Sequence, residues 1–448
     1  MFKYSTCAMS TIYSSILNLI TGAAPPASTD LIMTAFSDFT IILVAALIAA
    51  RLASLLKIPD VILFLVAGVI IGPMVPFWVP IEESSNINQM VIIFGASYIL
   101  FQGGLDLKLK TIIHYAWIIA LLAIPGVLLS TFLVGGAAKL IFPILPCAAA
   151  LLLGVILAPT DPATLIPILK QVRVSERLEV VIESESAFND TTAAVIFISI
   201  VTLLQQGHLS LFPAVGGFLG QLFIGFGCGA GVGLLAGVFI SHRPFGFFRE
   251  VASILTLPVV AGSYTLATWL GGSGYLATFI AGVFLGNCRE LMPSYFDRKK
   301  GLNLEIFSMD LAVICRMMIF VILGSQIDFL AVREYLLPGL VLMAVFIFIS
   351  RPAVVFLFFG LDRKKGWTIK EKLFLSWVRE TGVMPAALAG ALASISLNFS
   401  GRMGGIYDEF VQAIVFMAIL VTLLVQAMST PWLARKLKLI RENENEGA

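Results

Sequence analysis

Charge is what this chain lacks. Only 12% of its 448 residues are Asp, Glu, Lys or Arg, while 59% are hydrophobic. Soluble domains carry roughly twice that charge, and a mean hydropathy of +0.98 excludes one here. The formal net charge of +2 leaves no basic excess to hold nucleic acid. Cysteine is equally sparse in pattern. Cys7, Cys147, Cys228, Cys288 and Cys315 have neither metal-ligand spacing nor a disulfide framework, and they read as small apolar side chains. The three histidines, His114, His208 and His242, lie near the ends of apolar runs and read as interfacial residues. What remains is an all-α polytopic membrane protein.

Long apolar runs are abundant. Thirteen are predicted to span the bilayer, at 31–55, 59–74, 88–107, 111–141, 146–169, 179–205, 211–241, 250–270, 274–288, 303–329, 335–361, 371–397 and 406–433. The second and ninth are short, and the tenth begins amphipathic, as if made of two pieces. Basic residues test the count. With the N-terminus outside, the outer loops hold only Lys3, Lys139, Arg333 and Arg402, and Arg316, Arg351 and Arg379 fall inside spans. Every other one of the 29 Lys and Arg residues lies on the cytoplasmic side. That asymmetry is the positive-inside rule, and it supports thirteen spans with N-out and C-in. Residues 1–28 are expected to be an interfacial or disordered leader, and 435–448 a short cytoplasmic tail without a regulatory domain. The glycines at 225, 227, 229, 231 and 233 suggest close helix packing within a span. No strand precedes them, which argues against a nucleotide loop.

Against this apolar background two acids stand out. Asp161 lies in Ala158-Pro159-Thr160-Asp161-Pro162-Ala163, and Asp190 follows Glu185-Ser186-Ala187-Phe188-Asn189. A carboxylate at bilayer depth costs at least ~3 kcal/mol and usually marks an ion or proton path. Pro159 and Pro162 remove backbone donors and break the fifth span. Unwound backbone at that depth is tolerated only where protein or a water-filled cavity covers it. An odd span number also permits six spans, a linker span and six inverted spans. The fifth would then pair with the twelfth, which looks interrupted at Arg379-Glu380-Thr381-Gly382. Paired interrupted helices point to a transport site. If the two cross, the partial charges at their half-helix ends need compensation.

Ser186 and Asp190 are four apart, as are Glu185 and Asn189, so on a helix the pairs occupy adjacent faces. Asp190, Ser186 and the Thr160–Asp161 turn could then supply two carboxylates, a hydroxyl and a freed carbonyl. Such hard oxygens suit an alkali cation, and the ligands that zinc or copper prefer are missing there. Desolvation penalises a bare carboxylate. A proton and a cation therefore compete for the same acid, with Asp190 the shared carrier and Asp161 completing the shell. Glu185 needs its own partner, with Arg351, Arg379 and Arg316 as candidates. The residues leave other readings open. Asp161 could cap the half-helix after its own break, Asn189 could simply bridge helices, Arg379 could hold the twelfth-span break by bonding carbonyls, and Glu380 reads as a partner for Arg379.

Thr160-Asp161-Pro162, Glu185-Ser186-Ala187-Phe188-Asn189-Asp190, Ser350-Arg351-Pro352 and Trp377-Val378-Arg379-Glu380-Thr381-Gly382 together resemble the monovalent cation/proton antiporters. The NhaP-like sodium/proton branch, related to the animal sodium/proton exchangers, is the nearest likeness, over almost the whole chain. The resemblance implies a dimerisation domain and a six-helix core from spans 4–6 and 11–13, within a transmembrane domain at 29–434. It implies crossed broken helices in spans 5 and 12, a homodimer in the cell (inner) membrane, and a core that carries the site across the bilayer. Asp161, Asp190, Ser186 and the Thr160 backbone would bind the cation beside Asn189. Glu185 and Arg351 would form a structural ion pair, with Arg379, Pro159 and Pro162 supporting the breaks. An Asn-Asp pair goes with electroneutral exchange, one cation for one proton. One segment departs from the pattern: Phe101-Gln102-Gly103-Gly104 stands where members often carry an acid at the second position.

The expectation is therefore a secondary antiporter, not an enzyme, that exchanges sodium or lithium, with potassium the third candidate, for protons and needs no cofactor. The rivals are a cation channel, for which no filter-like stretch is visible, and an intramembrane aspartyl protease built on Asp161 and Asp190, for which no further motif exists.

Overall fold

The computed structural model describes residues 27–440, apart from 57, 73–85, 162–173, 207–210, 242–245, 294–303, 363–365 and 394–402. Most of the leader, most of the tail, Pro162, Cys7, His208 and His242 lie outside the described residues. Among the described residues the architecture is helical, with a single isolated antiparallel bridge between Val174 and Ile440. The helices are α1 (Ala27–Leu56), α2 (Asp60–Ile71), α3 (Asn86–Asp106), α4 (Leu109–Leu121, continued through a π-helical turn at Leu122–Gly126 into Val127–Ile141), α5 (Cys147–Leu157), α6 (Glu176–Gln206), α7 (Leu211–Phe239), α8 (Ala252–Trp269), α9 (Gly274–Gly286), α10 (Leu304–Ser325), α11 (Phe329–Val345, through a π-helical turn at Phe346–Ser350 into Arg351–Leu361), α12 (Ile369–Trp377), α13 (Val383–Ala393) and α14 (Met403–Val421, through Thr422–Ala427 into Met428–Lys436).

Seven helices among the described residues are long and apolar enough to cross a membrane, and four shorter apolar ones accompany them. α10 is one continuous helix over Leu304–Ser325, not two pieces. The first helix begins at Ala27, two residues inside the expected leader. Many large apolar side chains face outward, among them Trp117, Phe132, Phe223, Trp269 and Phe348, which in water would make a large exposed patch.

Small residues set the closest helix contacts. Gly225, Gly229 and Gly233 recur every fourth residue along one face of α7. A methyl added to each would meet the Ser273, Ala277 and Ala281 carbonyl oxygens of the α9 segment. Gly227 and Gly231 face open space. The packing role read from this run thus belongs to three of its five glycines.

Two features position the interior. The start of α12 carries a capping box: Thr368 accepts from the Glu371 N–H at 3.2 Å, and the Glu371 carboxylate accepts from the Thr368 N–H at 2.8 Å. Arg177, at the start of α6, clamps Glu371 with Nη2 and lays its guanidinium over the Trp367 ring at 4.1 Å. The start of α6 is thereby fixed to the start of α12. In addition, α4 and α11 each contain a five-residue π-helical turn, and each turn packs against the helix segment that follows the other. Such turns concentrate at functional places in helices.

Candidate functional site

α5 ends at Leu157, and the chain runs non-helically through Thr160 and Asp161. α12 ends at Trp377, and α13 begins at Val383. The two interruptions meet. The Asp161 N–H donates to the Glu380 carbonyl at 2.9 Å. The Val383 N–H, at the start of α13, donates to Asp161 Oδ2 at 3.2 Å. In the other direction, Arg379 Nη2 donates to the carbonyls of Ala158 at 2.6 Å and Leu157 at 3.3 Å.

The electrostatics follow from helix ends. Carbonyls at a helix C-terminus are partially negative, and N–H groups at an N-terminus partially positive. Arg379 supplies the cation at the end of α5, and Asp161 supplies the anion at the start of α13. Each break thus neutralises the other. The sequence left open that Asp161 caps the half-helix after its own break, which lies outside the described residues, and that Arg379 holds the twelfth-span break by bonding carbonyls, which it does at the end of α5. Both caps act across the junction, because the two broken segments approach closely enough to exchange partners.

Gly382 makes the approach possible. A methyl on its Cα would coincide with the Asp161 carboxyl group. Gly382→Ala is expected to displace Asp161 and reduce transport more than tenfold, while the protein remains monodisperse in detergent, since overpacking of this kind costs only about 1–3 kcal/mol. Flux in vesicles beside size-exclusion chromatography checks it.

α6 crosses the junction near its middle. Asn189 braces the unwound turn: its Nδ2 donates to Thr160 Oγ1 at 2.8 Å, and its Oδ1 accepts from the Thr160 N–H at 3.3 Å. The Ser186 hydroxyl donates to the Thr160 carbonyl. Both ends of the Asn189 amide are engaged, which favours its bridging reading. Asp190 follows, partly buried, with Oδ1 shielded from solvent and without a hydrogen-bond partner among the described residues. Its carboxyl lies within electrostatic reach of Asp161. Asp161, Thr160, Ser186 and Asn189 are all at least nine-tenths buried. The junction therefore gathers two carboxylates, two hydroxyls and a main-chain carbonyl. No cluster of three or more His, Cys, Asp or Glu side chains with metal-holding geometry occurs among the described residues. A mixed oxygen set of this kind suits an alkali cation and would hold a transition metal poorly.

Of the three candidates for Glu185, it is Arg351 that pairs with it. The pair is bidentate, Nη1 to Oε1 and Nη2 to Oε2 at 2.9 Å, and Arg351 Nε also donates to the Leu375 carbonyl at 3.1 Å. One guanidinium thus ties α6, α11 and α12 together. Arg316 bonds Asp60 at 3.2 Å instead, linking α10 to α2. The pattern of charges alone offered no way to see that pairing. Glu380 forms no ion pair with Arg379, contrary to the sequence reading, because the guanidinium turns away to α5 and sits over the Phe346 ring at 4.2 Å. Gln102 donates to both carboxylate oxygens of Asp106 at 3.0 Å.

The α14 segment supports the junction from behind. Thr422 Oγ1 accepts from the Thr381 N–H at 3.1 Å, and Gln426 Nε2 donates to the Trp377 carbonyl at 2.7 Å. Both residues lie in the π-helical turn of α14, which turns them toward the break. Sequence reasoning missed both. Two polar residues in the otherwise apolar stretch 413–427 were the available signal.

The transmembrane domain model of the sodium/hydrogen exchangers matches residues 41–436. The chain belongs to the sodium/hydrogen exchanger family, and it is an integral membrane protein. Among its relatives, the Na(+)/H(+) antiporter 1 of Methanocaldococcus jannaschii is 28% identical, over 91% of this chain and 96% of that protein. The K(+)/H(+) antiporter NhaP of Alkalimonas amylolytica is 30% identical, over 90% of this chain and 66% of its own length. The solved structure of the M. jannaschii sodium proton antiporter MjNhaP1 at pH 8 superposes with a TM-score of 0.77 at 28% identity, covering 91% of this chain and 99% of that one.

Proposed function

We propose that this protein exchanges a monovalent alkali cation for a proton, one for one, by alternating access. Asp190 is the shared carrier: it holds a proton on one leg of the cycle and helps to hold the cation on the other. Asp161, the Ser186 hydroxyl and the Thr160 carbonyl complete the cation shell, and Asn189 keeps the Thr160 turn in place. Glu185 and Arg351 hold the moving core together.

The observation that carries this reading is the Asp190 carboxyl. Among the described residues one of its oxygens is buried without a partner, within electrostatic reach of Asp161, where two interrupted helices meet. A charge so placed has to be matched before it can move through a low-dielectric path. Either a proton or a cation matches it, and competition between the two couples their gradients. The relatives named as Na(+)/H(+) and K(+)/H(+) antiporters support the same class of exchange.

The wider architecture follows the same reading. Thirteen spans, N-terminus outside, form inverted six-helix halves around one linker, with the broken fifth and twelfth spans crossing. In that arrangement α4 corresponds to α11, and each carries a five-residue π-helical turn. Spans 4–6 and 11–13 form the moving core, and the remaining spans make the scaffold of a homodimer in the cell membrane.

Purified protein in vesicles, with proton movement recorded on addition of Na⁺, Li⁺ or K⁺, tests the reading. Saturable, cation-dependent proton movement that is indifferent to the membrane potential is expected, and the three ions rank the specificity. Cation current without proton coupling would overturn it.

A further inference from the structure

The chain passes from α3 into α4 through only Leu107 and Lys108. The two helices have different neighbours. α3 packs chiefly along α9 and α10, whereas α4 packs chiefly along α5, α6 and α11. The seam between α3 and α9 leaves no room for side chains: a methyl on Gly104, Gly282 or Gly286 would meet the Phe279, Phe101 or Leu105 carbonyl oxygen. Leu107–Lys108 is thus the joint between a tightly seated scaffold helix and the first helix of the proposed core.

Asn287 holds that joint. It caps the C-terminal end of α9 and is 5% exposed. Its Oδ1 accepts from the Leu109 N–H, the first of α4, at 2.9 Å. Its Nδ2 donates to the Leu107 carbonyl at 2.8 Å and to the Val283 carbonyl, one turn back in α9, at 2.8 Å. A helix start leaves N–H groups without intrahelical partners, and Lys108, at the N-cap of α4, makes no side-chain cap bond. An asparagine of another helix supplies the cap that the preceding residue usually provides. Lys110 and Glu290 also meet across the joint at 3.4 Å, but both are exposed, and such a pair contributes little.

The opposite joint, between α10 and α11, is built differently. There Asp328 caps its own helix, accepting from the Leu330 N–H at 2.7 Å. In inverted halves α2 corresponds to α9, and Gly68 and Gly72 seat it on α10 as Gly282 and Gly286 seat α9 on α3. The residue after Gly72 is Pro73, whose side chain has neither donor nor acceptor. One joint is pinned from the scaffold, and the other caps itself.

We propose that Asn287 is a positioning residue for the transport cycle: it pins the start of α4 to the scaffold and fixes the pivot about which the core moves. The inference rests on the antiporter reading and deepens it. Hinges absorb their dihedral change in a few residues at the ends of elements. With the Leu107 carbonyl and the Leu109 N–H bonded to one side chain, that change is confined to a two-residue joint. None of these bonds involves a proposed cation ligand, so Asn287 acts on the movement of the core and not on what the core holds.

Proton flux in vesicles containing the full-length protein, driven by NaCl, LiCl or KCl, tests this. Asn287→Ala is expected to lower kcat about five- to tenfold, the scale of one lost cap. KM should stay within about twofold of the wild type. Amide exchange around Leu109 should quicken in the same variant. Asn287→Asp keeps the acceptor for Leu109 but not the donor for Leu107, and it should retain more of the rate. Asp328→Ala removes a cap of the same kind without untying the two bodies, so its kcat should stay within about twofold of the wild type. Wild-type kcat or unchanged exchange in Asn287→Ala, a rise in KM alone, or an equal fall in Asp328→Ala would overturn the proposal. If Asn287→Ala does not remain monodisperse in detergent, Asn287→Asp decides: a lowered kcat at unchanged KM supports the pivot, and unchanged kcat refutes it. The underlying antiporter reading is judged separately by Asp190→Asn. Loss of exchange in that variant beside wild-type kcat in the Asn287 variants would remove this inference alone.

Discussion

Asp190→Asn is expected to reduce cation-driven proton movement to the level of protein-free vesicles. The substitution preserves shape, so the fold and the brace between Asn189 and Thr160 should persist. What disappears is the group that takes up a proton and, in its ionised form, balances a cation. Removing one full charge from a buried site costs at least ~3 kcal/mol, which corresponds to a fall in rate of roughly a hundredfold or more. Proton flux recorded across a pH series, wild type beside variant, checks this. The wild type should show a bell-shaped profile: protons occupy the carrier at the acid end, and their scarcity limits the return leg at the alkaline end. The variant should be flat. Exchange retained at wild-type rate in Asp190→Asn would refute the assignment of the carrier.

The second large effect concerns stability. Glu185 and Arg351 are 3% and 4% exposed, and the guanidinium also holds the Leu375 carbonyl. Arg351→Ala leaves a buried carboxylate and a buried carbonyl without partners, and Arg379 already has its own contacts. Breaking a buried pair in this way costs about 3–5 kcal/mol. The variant is therefore expected to melt well below the wild type in detergent and to be recovered in reduced amount. Glu185→Leu with Arg351→Leu should regain a large part of that loss, since a well-packed apolar pair often replaces a buried ion pair at little cost. Recovery should stay incomplete, because Leu375 still lacks its donor. A single variant as stable as the wild type would show that the pair does not hold the core. Thermal melts of the three variants distinguish these outcomes.

Much of the helical layout was legible along the chain, because in a bilayer backbone hydrogen bonds must close within each segment. That requirement turns length and hydropathy into helix boundaries, as at Asp60–Ile71 and Gly274–Gly286, where short runs became short helices. The break at Thr160–Asp161 was also readable, because prolines there remove donors. Partner choice was readable only for Glu185 and Arg351, through the family resemblance. Arg316 joining Asp60, and Arg379 joining α5 while leaving Glu380 bare, depend on which helices are neighbours. Spacing along one helix carries no information about the facing helix. The same limit hid Thr422 and Gln426, whose direction is set by a π-helical turn.

Sequence alone determined that this is a membrane-embedded helical protein in which Asp161, beside a proline-broken helix, and Asp190 stand within long apolar runs. Composition and local chemistry suffice for that, because burying charge or unpaired backbone in hydrocarbon is too unfavourable to occur without cause. Only the tertiary structure decided that the two breaks cap one another and that Gly382 must lack a side chain to admit Asp161. Those facts arise from the close approach of segments more than 200 residues apart, and such contacts exist only once the helices have packed.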